Sequence, residues 1–212
     1  MKQGKLSRRG VLVAGLAAMP VLSQSPALAQ ASPDGAAQFV QSLAQQAIST
    51  LSRQGMTLEQ REAVFRDLLR QGFDLEFIGR FVAGRYYRDM TPDQQADYQR
   101  LFGDFVLATY AGRLGGYAGE QFSVISARPA GQQDVLVQSR IDRRSGPPIG
   151  AEWRVRALGG GYRIIDVMVE GVSMAVTQRA EFDSVLSRGG PESLLAALRA
   201  RTSKLPATAR AG

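Results

Sequence analysis

Ile149-Gly150-Ala151-Glu152-Trp153-Arg154-Val155-Arg156-Ala157 sets Ile149, Ala151, Trp153, Val155 and Ala157 against polar or small neighbours with a period of two. That period belongs to a strand with one face in a core and the other in water, as in an antiparallel sheet. Towards the N-terminus, Asp134 to Asp142 repeats it, with Val135, Val137, Ser139 and Ile141 opposed to Gln138, Arg140 and Asp142. Arg143 to Pro148 supplies turn chemistry between the two, and Phe122 to Arg128 reads as an earlier strand. Towards the C-terminus, Gly159-Gly160-Gly161 turns the chain into a further strand, Tyr162 to Val169. Strands joined by links this short predict a roughly four-stranded antiparallel meander.

Helical periodicity flanks the sheet on both sides. Ser32-Pro33-Asp34 opens a helix whose apolar stripe is Phe39, Val40, Leu43, Ala44, Ala47, Ile48 and Leu51. Thr57 with Gln60 makes a capping box for a second helix carrying Val64, Phe65, Leu68 and Leu69, which Gly72 stops. Asp74 caps a third, faced with Phe77, Ile78, Phe81 and Val82. Thr91-Pro92-Asp93-Gln94 starts a fourth, with Tyr98, Leu101, Phe102, Phe105, Val106, Thr109, Tyr110 and Leu114 at helical spacing before Gly115-Gly116. Its aromatic stripe fits a core helix and equally a helix lining an apolar pocket. After the sheet, Ser173 caps a segment with Val176, Phe182, Val185 and Leu186; Gly189-Gly190-Pro191 breaks it ahead of Leu194, Leu195 and Leu198. Helices, sheet and helices again predict an α+β fold.

The first residues read as an address. Lys2, Lys5, Arg8 and Arg9 precede an apolar run, Gly10 to Leu22, and Ala27-Leu28-Ala29 offers a signal-peptidase site. The run falls short of the roughly 20 residues that span a bilayer. Ser7-Arg8-Arg9-Gly10-Val11-Leu12 resembles the twin-arginine export signal, with Val11 where that signal usually has Phe, and an ordinary secretory signal reads the same charges. The expected division is a signal peptide over 1–29, one domain over 30–202 and a loose tail over 203–212.

The chain has 26 basic and 19 acidic residues; removing the four basic residues of the signal leaves an excess of three positive charges. That balance and the lack of any nucleic-acid-binding motif argue against nucleic acid and suit transient contact with anionic lipid headgroups. There is no cysteine, hence no disulfide or thiolate site, and no histidine, hence no Ser-His or Cys-His arrangement. Gly171-Val172-Ser173-Met174-Ala175 misses the nucleophile elbow by its last glycine, and Ser173 reads better as a helix cap. The lysines, at 2, 5 and 204, sit outside the periodic segments, so no Ser-Lys dyad forms. Asp166 and Glu170, four apart on one strand, are expected to share a face and to suit an ion pair with an arginine. The expectation is a protein that is not an enzyme and needs no cofactor or metal.

A series of short motifs then points to a family. Phe73-Asp74-Leu75-Glu76-Phe77-Ile78-Gly79-Arg80, Gly84-Arg85-Tyr86-Tyr87, Thr91-Pro92, the 102–114 run and Glu170-Gly171-Val172-Ser173-Met174 resemble, in order, the MlaC (toluene-tolerance, Ttg2-type) phospholipid-binding proteins of the periplasm. Phe182, Gly189-Gly190 and Leu194 continue the pattern, and the likeness runs from Phe39 to Arg199. It implies helices around a twisted antiparallel sheet enclosing an apolar cavity. It also implies a carrier that moves phospholipid, with two acyl chains, between an outer-membrane lipoprotein complex and an inner-membrane ABC transporter complex, maintaining outer-membrane lipid asymmetry. By motif position, Tyr110 and Val172 belong on the pocket wall; Phe77, Phe81, Phe105, Val106, Trp153 and Val155 join them by expected facing. A monomer is expected. The motifs do not separate phospholipid from a hopanoid cargo, and a ligand-free periplasmic interaction module is the alternative.

Overall fold

The computed structural model describes residues 31–53, 55–111 and 119–203. The signal segment, Leu114, Gly115-Gly116 and the tail beyond Ser203 lie outside them. Ser32 Oγ accepts the Gly35 N–H (3.3 Å) to open α1 (Pro33–Leu51). Thr57 and Gln60 cap each other's backbone at the start of α2 (Leu58–Gly72). Asp74 Oδ1 accepts the Phe77 N–H (2.9 Å) at α3 (Leu75–Ala83), which runs into a 3-10 helix, Gly84–Asp89. Thr91 and Gln94 repeat the capping box at α4 (Pro92–Ala111). Each start therefore rests on a local side-chain bond to an N–H that the helix itself leaves unsatisfied.

β1 (Gln121–Pro129), β2 (Asp134–Asp142), β3 (Ile149–Leu158) and β4 (Gly161–Val169) form the expected meander. A fifth strand extends it: β5 (Val172–Ser173) pairs with β4 through Met168↔Ser173 and Val169↔Val172. The sheet is open, in the order β1-β2-β3-β4-β5. Two irregularities curve it. Ile125 is skipped in the β1–β2 register and stands 60% exposed, and Ile165 is skipped opposite Arg154/Val155. The second bulge buries Ile164 and Ile165 side by side, which strict alternation forbids. α5 (Met174–Thr202) closes the chain and bends at Gly190 (φ 64°, ψ −169°), directly before Pro191.

Two apolar cores result. Ala36 and Val40 of α1 pack with Val135, Val137, Val155 and Ile164 on the inner face of the sheet. Val82, Tyr98, Phe102, Phe105, Phe182, Leu186, Leu194 and Leu198 form a separate helical core among α3, α4 and α5. Rings of Tyr98, Phe102 and Phe105 surround Phe182 at centroid distances of 5.5 to 6.5 Å, and the buried Tyr98 hydroxyl donates to Gly79 O (2.8 Å). The aromatic stripe of α4 is thus mainly core. α3 bridges the two: Phe73 forms a bridge with Ile164, and the Asp74 N–H donates to Ile164 O (3.0 Å).

Candidate functional site

α3 and the residue before it carry Phe73, Phe77 and Phe81 at a spacing of four, so the three rings follow one stripe. Phe73 packs into the sheet core. Phe77 is half-buried, with the Arg156 guanidinium 4.6 Å above its ring. Phe81, also half-buried, lies against the helical core under Arg179, 5.0 Å from its centroid. The stripe forms a seam between the two cores, with an arginine over each of its last two rings.

The Arg156 end is held firmly. Asp134, a buried carboxylate, accepts Arg156 Nε (2.7 Å) and Nη2 (3.0 Å) and also Arg154 Nε (2.8 Å). Burial pushes the Asp134 carboxyl up, but hydrogen bonds from Arg156 and Arg154 outweigh it and hold the group below the usual carboxylate range. The same bond to Asp134 holds the Arg156 guanidinium above its ordinary value. Behind Phe77 the sheet presents Trp153, whose Nε1–H donates to Ser139 Oγ (2.8 Å), and Phe122 edge-on to it at 6.1 Å.

The eight residues expected to bind lipid fall into three groups. Phe81, Phe105 and Val106 belong to the helical core, and Phe105 is fully buried there, 5.5 Å from Phe182. Trp153 and Val155 belong to the sheet core, with Val155 fully buried. Phe77 stands at the seam; Tyr110 is half-buried at the end of α4. Val172 is 54% exposed, because Glu170 (φ 49°) and Gly171 (φ 79°) make a tight hairpin turn that carries β5 to the sheet edge. With Val176, 56% exposed, it forms an apolar rim rather than a wall. Reasoning from the sequence passed over Phe73 and the two arginines; the spacing of four from Phe73 through Phe81 was the available signal.

Asp166 and Glu170 do not make the expected ion pair. Asp166 accepts the Ser173 hydroxyl (2.6 Å) and the Ala175 N–H (3.1 Å), fixing the start of α5, while Glu170 Oε1 accepts the Gly150 N–H (2.7 Å). Ser173 Oγ also accepts the Val176 N–H (3.0 Å), so the hydroxyl is held as a cap. No group of three or more side chains suited to a metal ion occurs among the described residues. Two depressions indent the surface. One, about 410 Å³, lies between α2, α3 and α4 over Leu69, Leu75 and Leu107, rimmed by Arg66, Arg70 and Arg100; the other, about 280 Å³, lies where the 3-10 helix meets α5.

The family model described as MlaC protein matches residues 22–200. The chain belongs to the MlaC family. A curated relative from Haemophilus influenzae, the intermembrane phospholipid transport system binding protein MlaC, is 25% identical over 148 residues, 68% of this chain and 69% of its own. The solved structure of a phospholipid-binding protein from Ralstonia solanacearum, in complex with a phospholipid, is similar with a TM-score of 0.73. It is 24% identical, and the match covers 80% of this chain and 98% of that one, a likeness that shows the MlaC-type α+β fold. Among the described residues no helix is long and apolar enough to cross a membrane.

Proposed function

We propose that this MlaC-family chain is a non-enzymatic periplasmic carrier that holds a phospholipid in the seam between its sheet core and its helical core. The observation that carries the reading is the family match over residues 22–200. The half-buried Phe77, Phe81, Val106, Tyr110 and Trp153 support it, since they leave apolar surface that an acyl chain entering the seam would cover. Each methylene taken from water is worth about 0.8 kcal/mol, so two long chains represent roughly 20 kcal/mol. An exposed surface cannot offset that, whereas a seam lined on both sides replaces the contacts of the membrane. Passive exchange then needs no covalent step, and Ser173 serves as a cap.

On this reading residues 1–29 direct export through a twin-arginine signal, 30–202 form the lipid-binding domain and 203–212 a tail. The carrier works as a monomer between an outer-membrane lipoprotein complex and an inner-membrane ABC transporter complex and maintains outer-membrane lipid asymmetry. The relative from Haemophilus influenzae, named for intermembrane phospholipid transport, supports that placement. The test is transfer of a fluorescent phospholipid from donor to acceptor vesicles held apart by a porous membrane. The protein should raise the rate in proportion to its concentration. A rate equal to the protein-free control would overturn the reading.

A further inference from the structure

The smaller depression differs in chemistry from the seam beside it. Its floor is Val82 and Ala83, both buried, and its walls are Gly84, Arg85, Arg179 and Asp183. Arg179 rests on the Phe81 ring (5.0 Å) and Arg85 on the Tyr86 ring (4.8 Å), with Arg85 Nη2 donating to the Tyr86 hydroxyl (2.9 Å). Neither makes a carboxylate contact among the described residues, so polar N–H edges face the depression. Gly84 adopts φ 60°, ψ −136°, and a Cβ there would stand 3.1 Å from Arg179 Nη2, so glycine keeps the wall clear.

Val176, Arg179 and Asp183 share one face of α5 at spacings of three and four, and Val172 lies just beyond them on β5. The charged depression is therefore flanked by the exposed Val172 and Val176 on one side and by Phe81 of the seam on the other. Two cations and one anion bordered by apolar side chains match the boundary between the head and the tails of a lipid. We propose that this depression is a head-group site for a zwitterionic phosphoethanolamine lipid, with the phosphate on Arg85 and Arg179 and the ammonium on Asp183. A volume of about 280 Å³ holds roughly nine waters, comparable to the non-hydrogen atoms of that head group. Asp183 decides the class: its carboxylate repels a bare phosphate and complements an ammonium. The inference rests on the carrier reading and deepens it.

The full chain is loaded from vesicles equimolar in phosphatidylethanolamine and phosphatidylglycerol with identical acyl chains, and the lipid recovered with it is quantified by mass spectrometry. Wild type should prefer phosphatidylethanolamine by about twofold to fivefold, the range of one exposed ion pair. Asp183→Asn should bring the ratio to one while total lipid per protein is unchanged. A wild-type ratio of one, or a preference that Asp183→Asn leaves intact, overturns the head-group site while lipid carriage stands. Failure of wild type to load either lipid overturns the carrier reading and this inference with it. Soluble phosphoethanolamine should shift the Arg85 and Arg179 Nε–H resonances at lower concentration than inorganic phosphate does; the reverse order marks a plain anion site and also overturns it.

Discussion

Asp134 shows how one carboxylate organises a wall of the seam. It binds two arginines, one of which covers Phe77. Because its pKa lies lower in the folded than in the unfolded state, its contribution is fully present above the unfolded value near 4 and is lost as pH falls through the folded value. Asp134→Asn should therefore cost about 2 kcal/mol at neutral pH. It should also flatten the loss of stability below about pH 4, read from urea midpoints across pH. Tyr98→Phe, which removes only the buried hydroxyl bond to Gly79 O, should cost about 1 kcal/mol in the same assay. At this scale the caps were the legible part: Ser32, Thr57, Asp74, Thr91 and Ser173 act as their sequence contexts predict, since a cap involves three or four neighbouring residues. Arg156 and Arg179 were not legible. An arginine over a ring 79 or 98 positions away leaves no local mark.

Among the elements, β2 coincides with the alternating stretch from Asp134 to Asp142, and β3 runs one residue past Ala157. The bulges at Ile125 and Ile165 were hidden, because a skipped residue is a property of two strands together. β5 was hidden for another reason. Tight two-residue turns usually announce themselves as Asn-Gly or Asp-Gly, and here Glu170 takes the left-handed position, tied by its side chain to the Gly150 N–H. The expected break at Gly189-Gly190-Pro191 is a bend within α5, so both halves dock on the helical core through Phe182, Leu186, Leu194 and Leu198. Phe182→Ala should accordingly destabilise the protein by about 3–5 kcal/mol, visible in thermal unfolding. Ser173→Ala, which removes a cap bonded to Asp166, should cost about 1 kcal/mol.

For the whole molecule, the α+β architecture followed from the order of the periods, helical, alternating, then helical. That the apolar residues would sort into two cores did not follow, because spacing assigns a residue to a face and not to the neighbour that face meets. The split matters for the site: Trp153 and Val155 lie in one core, Phe81, Phe105 and Val106 in the other, and α3 joins them. A phospholipid between the cores gains contacts from both and should raise the melting temperature of the loaded protein above that of the delipidated form, by linkage of binding to folding. The most direct measurement is organic extraction of the purified, folded protein followed by lipid mass spectrometry. Stoichiometric phospholipid is the predicted result; folded protein that stays lipid-free through repeated preparations and after incubation with phospholipid vesicles would contradict it.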